Sequence, residues 1–207
     1  MRAALLAFCV ILLAACSAER AAPLPPGSVV LALGDSLTAG YGLAPEQAWP
    51  ALLAGRTGWK IVNGGVSGDK TDDALARLPA LMDEHAPALV LVTLGGNDML
   101  RKQPEAQTRA NLARILELVR GRNAQPVLLA TPRPSVAGAL FQNLSPPAFY
   151  AEIAEERHVP LIGDAVPAVL SDPNLKLDPL HPNAEGHAAL AGRAFDALRK
   201  LGYVRPN

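Results

Sequence analysis

The 207-residue chain has the length of one domain with a short leader, and half of its residues are hydrophobic while 18% are charged. This composition is typical of a globular protein with a sizeable core. Lys+Arg and Asp+Glu both total 19, so the formal net charge is zero. Because no basic run stands out, nucleic acid is excluded as a predicted partner, and the chain is not acidic enough to be intrinsically disordered.

The first 15 residues have the pattern of an export signal. Arg2 precedes an apolar stretch at 3–15 that is too short to span a bilayer comfortably. The stretch ends in LAAC at 13–16, which resembles the bacterial lipobox. We therefore predict a signal peptide at 1–15 and lipidation of Cys16, which becomes the mature N-terminus. The alternatives are a short uncleaved anchor, or ordinary cleavage that leaves the Cys16 thiol free.

Lipidation of Cys16 would place the protein in the bacterial cell envelope. Ser17 follows it, and the resemblance to Gram-negative lipoproteins favours the outer membrane, with the domain facing the periplasm. Cys9 lies within the signal, so the mature chain would hold no cysteine pair for a disulfide. Residues 17–27 contain three prolines and are predicted to form an extended tether outside the fold. The folded domain is predicted at 28–207.

Short apolar runs alternate with helical patterns along this domain. The runs predicted to be buried strands are residues 29–33, 60–62, 89–94, 127–130 and 159–162. Periodicity predicts helices at about 71–84, 107–120 and 183–201, and Pro79 should kink or split the first of them. Strands that alternate with helices predict a parallel sheet with helices on both faces, an α/β fold of three α/β/α layers without a second domain.

Glycine-rich polar turns follow the first three predicted strands. Ser36 lies in the first turn, Gly68 shortly after the second strand, and Asn97 in the third turn. Because ligands in such sheets bind at the carboxyl ends of the strands, these turns should meet at one edge. Asp178 and His181 lie in the loop before the last predicted helix, which places them at the same edge. This convergence predicts a functional site there.

The residue types at this edge suit nucleophilic catalysis by Ser36. A serine hydroxyl needs a neighbouring base, and the base needs an orienting carboxylate. Asp178 lies three residues before His181 and can reach its ring Nδ1, which leaves Nε2 free to act as the base. The other three histidines are less suited to be the base. His85 lies at a predicted helix end, His158 in a charged stretch, and His187 inside the last predicted helix.

Simpler interpretations of the same residues remain open. Ser36 can be a turn residue after a strand, and Asp178 can cap the following helix together with Asn183. Ser67 offers a second candidate serine. Neither serine fits the Gly-x-Ser-x-Gly elbow, because Thr38 and Asp69 occupy the final glycine positions. An α/β-hydrolase is therefore disfavoured.

Acyl transfer also needs donors for the negative charge that develops on the former carbonyl oxygen. The backbone N–H groups of Ser36 and Gly68 can supply two donors, since glycine lets the backbone approach closely. The side-chain NH₂ of Asn97 offers a third. The alternative is that Asn97 is an ordinary turn asparagine.

Taken together, these segments resemble the SGNH (GDSL) hydrolases. The matching blocks are residues 34–42 for the first, 66–69 for the second, 95–98 for the third and 178–183 for the fifth. Carried over position by position, the resemblance implies catalytic Ser36, His181 and Asp178, and an oxyanion hole of Ser36, Gly68 and Asn97. It also implies a flavodoxin-like five-stranded parallel sheet. The nearest resemblance is to periplasmic esterases that act as acyl thioesterase, arylesterase and lysophospholipase.

The sequence departs from this family pattern in two places. Met99 and Leu100 follow the third block, where small residues are usual, and we expect them to line an acyl pocket. Pro179 and Leu180 stiffen the fifth block without changing the spacing of its aspartate and histidine. A further apolar set is predicted to form either pocket wall or core. Its members are Ala139, Leu140, Phe141, Phe149 and Tyr150.

Three other functions compete with an esterase of acyl esters or thioesters. A carbohydrate or peptidoglycan O-acetylesterase would show a shallow, polar, aromatic-lined groove, whereas an aromatic content of 4% favours acyl chains. A nucleotide-binding loop at 64–71 is disfavoured because Asp69 replaces the glycine that should precede Lys70. A non-catalytic lipoprotein scaffold would not need this set of polar residues. No cofactor is predicted, and no metal, because the histidines lack a ligand spacing.

Overall fold

Five parallel strands form a single sheet in the computed structural model, which describes residues 21–134 and 143–205. The strands are β1 (Val29–Gly34), β2 (Lys60–Gly65), β3 (Leu89–Thr93), β4 (Gln125–Leu129) and β5 (Leu161–Ile162). Their order in the sheet is β2-β1-β3-β4-β5, and each neighbouring pair is parallel. This is the flavodoxin-like order, so the predicted three-layer α/β fold is confirmed.

Helices connect the strands and cover both faces of the sheet. They are α1 (Ser36–Ala39), α2 (Trp49–Thr57), α3 (Thr71–His85), α4 (Gly96–Leu100), α5 (Glu105–Gly121), α6 (Phe149–Glu156), α7 (Ala165–Ser171) and α8 (Ala184–Leu201). The predicted helices correspond to α3, α5 and α8. Helix α3 runs unbroken through Pro79. The buried Leu78 and Met82 hold both sides of that turn against the sheet, so packing outweighs the missing backbone donor.

The sheet separates two hydrophobic clusters because strand residues alternate between its faces. In β1, Val30 and Ala32 enter the cluster under α2, α7 and α8, while Leu31 and Leu33 enter the cluster under α3, α5 and α6. All four side chains are fully buried. Burial of β1 on both faces is typical of a central parallel strand and gives the following turn a rigid base.

The Pro-rich segment at 21–27 lies against the domain. The Ala21 N–H donates to the Leu201 carbonyl (3.2 Å) and the Leu24 N–H to the Tyr203 carbonyl (2.9 Å), beyond the end of α8. The Trp59 indole N–H donates to the Leu24 carbonyl (3.4 Å). The prediction of a tether outside the fold therefore does not hold for residues 21–27. Prolines favour extended backbone, and here that extended backbone pairs with the C-terminal segment.

Several predicted features lie outside the described residues. They are the signal peptide, Cys16, and the apolar residues Ala139, Leu140 and Phe141. Within the described ranges, no helix is both long enough and apolar enough to cross a membrane.

Candidate active site

Ser36, His181 and Asp178 form a continuous hydrogen-bonded chain at the carboxyl edge of the sheet. The Ser36 Oγ lies 2.9 Å from His181 Nε2. The other ring nitrogen, Nδ1, lies 2.8 Å from Asp178 Oδ2 and 3.0 Å from Oδ1. The structure therefore brings together three residues that the sequence analysis grouped, although Ser36 and His181 are 145 positions apart.

The Asp178 carboxylate is oriented by its own loop. Its Oδ1 accepts the Leu180 N–H (2.7 Å) and the His181 N–H (2.9 Å). Burial raises the pKa of Asp178, but the hydrogen bonds from the His181 ring and the two N–H groups outweigh it and hold the pKa below its ordinary value. The carboxylate is thus ionised at neutral pH and fixes the imidazole with the proton on Nδ1.

The loop around His181 is braced independently of the serine. The Leu177 N–H donates to the His181 carbonyl (2.9 Å), and the Asn183 N–H donates to the Leu175 carbonyl (3.0 Å). The Asn183 Oδ1 accepts the Gly186 N–H (2.8 Å) and caps α8. The capping alternative therefore holds for Asn183, whereas Asp178 contacts the histidine ring.

Ser36 is presented by a tight junction between β1 and α1. It is the first residue of α1, directly after the buried β1. The neighbouring β2 ends in Gly65, where a Cβ atom would lie 2.2 Å from the Ala39 nitrogen. Only glycine permits this close approach of α1 to the sheet. Ser67, the second candidate serine, lies on the same cavity wall, but the His181 ring contacts Ser36.

The predicted oxyanion donors line the same cavity as the Ser36 hydroxyl. Among the described residues, neither the Ser36 N–H nor the Gly68 N–H has a hydrogen-bond acceptor. Gly68 has a φ of +87°, a backbone conformation that favours glycine. The Asn97 Nδ2 donates to Asp35 Oδ2 (3.2 Å) and to the Asp69 carbonyl (3.0 Å). Ser36, Gly68 and Asn97 all line one cavity, where the N–H groups of Ser36 and Gly68 are available to an oxygen atom.

Asp98 ties together the turns that hold Gly68 and Asn97. It is fully buried at the start of α4, next to Asn97. Its carboxylate accepts the Thr71 N–H (3.0 Å) at the start of α3 and the Gln103 side-chain NH₂ (2.9 Å). Because α3 follows Gly68 closely, this carboxylate fixes the second and third turns relative to each other. No role for Asp98 was predicted from the sequence.

Two further residues at the site were missed by the sequence analysis. Tyr41 places its ring 4.5 Å from the His181 ring, centre to centre, at the edge of the cavity. Asp35 is 2% exposed, caps α1 through the Leu37 N–H (3.0 Å), and contacts Asn97. The Gly-Asp-Ser turn contained the signal for Asp35, because an aspartate before a short helix is a usual cap.

A cavity of about 800 Å³ opens over the Ser36 hydroxyl. Its polar end holds Ser36, His181, Gly68 and Asn97. The remaining wall is mainly aliphatic, with Leu37, Leu100, Pro132, Pro134, Leu144, Leu170, Pro179 and Leu180. Tyr41 supplies the aromatic ring among these lining residues, and Arg133 supplies a cation. The cavity therefore suits an apolar chain attached to a polar reacting group.

The expected pocket residues divide between cavity and core. Leu100 lines the cavity and is 42% exposed, as predicted, whereas Met99 packs against the cluster under α5. Phe149 and Tyr150 are buried in that cluster. Tyr150 donates to the Leu94 carbonyl (2.7 Å) and does not line the cavity. For these two aromatic residues, the core alternative is the observed one.

Comparison with known proteins agrees with this site. The model of the GDSL-like lipase/acylhydrolase family matches residues 32–189. The "Thioesterase 1/protease 1/lysophospholipase L1" of Escherichia coli strain K12 is 41% identical over 175 residues, which cover 83% of this chain and 84% of that protein. An arylesterase of Vibrio mimicus is 36% identical over 168 residues, covering 78% of this chain and 84% of the relative.

The fold is likewise similar to that of a solved enzyme. A crystal structure of TesA superposes with a TM-score of 0.75 at 32% identity and covers 84% of this chain and 99% of its own. The matched family segment contains each of the polar residues that line the Ser36 end of the cavity. The chain therefore belongs to the GDSL-like lipase/acylhydrolase family and is an ester-hydrolysing enzyme, as its motifs predicted.

Proposed function

We propose that the protein is a serine esterase that hydrolyses acyl esters or thioesters whose acyl chain occupies the aliphatic cavity. One observation carries this proposal: the hydrogen-bonded chain of Ser36, His181 and Asp178 opens into a cavity walled mainly by leucine and proline. A sugar-binding groove would instead present aromatic and polar side chains for stacking and hydrogen bonding. The aliphatic wall favours an acyl chain over an acetylated glycan.

In the acylation step, the Ser36 Oγ attacks the carbonyl carbon while His181 Nε2 takes the hydroxyl proton. The 2.9 Å separation of these atoms allows direct transfer. The ionised Asp178 stabilises the resulting imidazolium through Nδ1. Negative charge on the former carbonyl oxygen meets the N–H groups of Ser36 and Gly68. The Asn97 NH₂ acts as the third donor once one of its two N–H bonds, to Asp35 or to the Asp69 carbonyl, turns to that oxygen. The intermediate then collapses, and His181 returns its proton to the departing alcohol or thiol.

In the deacylation step, water replaces the leaving group. His181 Nε2 takes a proton from the water as its oxygen attacks the acyl-serine carbon. The same three donors stabilise the second oxyanion. Its collapse releases the carboxylic acid and returns the proton from His181 to the Ser36 oxygen. The cycle restores the starting state of Ser36 and His181.

The names of related proteins suggest which molecules contain the ester or thioester bond that is hydrolysed. Similar proteins carry the names thioesterase, lysophospholipase and arylesterase. All three substrate classes combine an acyl carbonyl with an apolar portion, and the mainly aliphatic wall of the cavity supports such substrates. We therefore propose small acyl esters and thioesters with a medium or long acyl chain as substrates.

A substrate series tests this proposal. Purified protein is assayed with p-nitrophenyl esters from acetyl to lauroyl, with matching acyl thioesters, and with acetylated xylan. We expect kcat/KM to rise with acyl length and acetate release from the glycan to be slow. Ser36→Ala, with unchanged far-UV circular dichroism, should be inactive on every substrate. Wild-type turnover by that folded variant contradicts the nucleophile assignment, and a preference for acetylated xylan supports an O-acetylesterase instead.

We also propose that Cys16 anchors the protein to a bacterial membrane, with the domain in the periplasm. The support is the LAAC pattern at 13–16 directly after an apolar stretch. Cys16→Ser should move the protein from the membrane fraction to the soluble fraction of the cell envelope, while Cys9→Ser, within the leader, should leave it membrane-bound. Membrane retention of Cys16→Ser with an uncleaved leader would support the simple anchor.

A further inference from the structure

The ring of Tyr41 packs on one face of the His181 ring, a contact that the proposed proton-transfer chain does not use. The ring centroids lie 4.5 Å apart, and the ring planes are tilted by 32°. The two ring nitrogens of His181 contact Ser36 and Asp178, so the edge of the ring is already engaged. Tyr41 is 50% exposed at the cavity, so burial in the core does not account for its position.

We propose that Tyr41 is a positioning residue that holds the His181 ring by its face and stabilises the imidazolium that forms when Nε2 takes the Ser36 proton. This inference rests on the proposed function, because it assigns His181 the role of the base. Tyr41 takes no part in the proton transfer itself. It acts on the reaction through the histidine ring.

The backbone around Tyr41 ties its ring to the nucleophile. The Tyr41 N–H donates to the Ser36 carbonyl (3.1 Å) at the end of α1. The residues on either side are Gly40, with a φ of +82°, and Gly42, with a φ of +78°. Both values lie in the left-handed region that favours glycine. The chain therefore turns sharply on each side of Tyr41, and this turn holds the side chain over His181.

The same turn packs against the loop that carries the histidine. A Cβ atom on Gly42 would lie 2.6 Å from Leu177 Cδ2, so the two segments are in close contact there. The Leu177 N–H donates to the His181 carbonyl (2.9 Å). The pair of rings is thus the second point at which the two segments meet. A side chain supported on both sides in this way can hold a catalytic group in one orientation.

The face of a phenol ring carries negative electrostatic potential and attracts a cation within about 6 Å of its centre. His181 gains a positive charge only when Nε2 accepts a proton, so the attraction is stronger in the transition state than in the resting enzyme. For a partly exposed pair it favours the protonated ring by about two- to fivefold. An interaction of this kind raises kcat more than it tightens substrate binding.

Other charged or titratable side chains lie around the His181 ring or in the same cavity. They are Asp178, Asp35, His187 and Arg133. Burial raises the pKa of Asp35 to about 6, whereas burial and then the charge on His181 lower the pKa of His187 to about 4. Substitution of Tyr41 leaves all four groups in the protein. A difference between Tyr41 variants in their pH dependence therefore reports the loss of the aromatic face.

Two substitutions separate an aromatic face from simple packing. Tyr41→Phe keeps the face and removes the hydroxyl, whereas Tyr41→Leu keeps apolar bulk and removes the face. Val66→Ala is the matched control, since it removes an exposed apolar side chain from another turn of the same sheet edge, off the cavity wall. Circular dichroism checks the folding of each variant, and Tyr41→Met replaces Tyr41→Leu if the latter does not fold.

The pH dependence of kcat/KM for an aliphatic acyl thioester tests the proposal, because this substrate has no aromatic leaving group to stack on Tyr41. A less stabilised imidazolium loses its proton at lower pH. Tyr41→Leu should therefore move the acid limb of the profile down by about 0.4–0.7 pH unit and lower kcat by about two- to fivefold at pH 8. The limb should keep its wild-type position in Tyr41→Phe and in Val66→Ala.

Three results would overturn the proposal. The first is an acid limb that stays in place, or moves to higher pH, in folded Tyr41→Leu, as expected if the ring only packs. The second is a shift in Tyr41→Phe equal to that in Tyr41→Leu, and the third is an equal shift in Val66→Ala. Ser36→Ala keeps the two proposals distinguishable: an inactive Ser36→Ala with an unmoved limb refutes the role of Tyr41 alone, whereas a folded, active Ser36→Ala refutes the serine mechanism.

Discussion

The buried Asp35 carboxylate should make the protein less stable at neutral pH than it would be with a neutral residue at that position. Its pKa is raised from 3.8 to about 6 by burial. A carboxyl with a raised folded-state pKa binds its proton more tightly in the folded chain than in the unfolded one. The free energy of unfolding therefore falls as the pH rises from about 4 to about 6, and this contribution is constant above that.

The size of the effect follows from the shift. A difference of roughly two pKa units corresponds to a cost of about 3 kcal/mol for the ionised side chain. Asp35→Asn removes that cost, but the new side-chain NH₂ cannot accept from the Asn97 NH₂, and the lost hydrogen bond is worth about 1 kcal/mol. We expect the variant to be more stable than wild type at pH 7 by about 2 kcal/mol, which is an increase in Tm of about 4–8 °C.

Urea denaturation from pH 4 to pH 8 measures this difference directly. The gain of Asp35→Asn over wild type should be full above pH 6 and should disappear towards pH 4. Asp164→Asn, which removes an exposed carboxylate before α7, serves as the matched control and should show no such pH-dependent gain. A constant difference between wild type and Asp35→Asn across the range, or a loss of stability at pH 7, would refute the reasoning about the buried charge.

Three further substitutions test the close approach of β2 to α1, the role of Leu100 in the cavity wall, and the role of the Asp178 carboxylate. Gly65→Ala should lower the free energy of unfolding by about 3 kcal/mol, because its Cβ would meet the backbone of α1, and an unchanged urea midpoint contradicts this. Leu100→Trp should lower kcat/KM for lauroyl relative to acetyl esters by about tenfold or more, whereas Leu177→Trp, exposed and off the cavity wall, should not. Asp178→Asn should lower kcat by about 10⁴-fold because the His181 ring loses its preferred tautomer, and a loss below tenfold argues against the assigned role.

The convergence of the site residues was predictable because it depends on a general property of parallel sheets. Ser36, Gly68 and Asn97 each follow a strand, and the carboxyl ends of β1, β2 and β3 necessarily share one edge. The strands were recognisable as apolar runs since they are buried on both faces. The positions of Ser36, Gly68 and Asn97 in the sequence were therefore enough to predict that they meet, and the short spacing of Asp178 and His181 predicted that these two residues form a pair.

Contacts between distant segments could not be predicted in the same way. The start of α2 depends on the Trp49 N–H, which donates to His187 Nδ1 (3.1 Å) from a helix 138 positions away. Burial lowers the pKa of His187 to about 4, so the ring stays neutral and keeps that acceptor. No local pattern reveals such a cap, and α2 was not predicted. The same limit applies to Asp35, whose motif was visible but whose partner Asn97 was not.

The docked segment at 21–27 fixes the point at which the chain leaves the domain. Ala21 lies beside Leu201, the last residue of α8, and this 18-residue helix is about 27 Å long and begins next to the His181 loop. Four residues lie between Cys16 and Ala21, so the five steps from one Cα to the other span at most about 17 Å. If the protein is anchored through the proposed lipid, the end of the domain that holds Ala21 and Leu201 would lie near the bilayer. The cavity, near the other end of α8, would face away from the membrane. Lipids embedded in the anchoring leaflet would stay beyond the reach of Ser36, and the enzyme would process acyl compounds that arrive from the surrounding compartment.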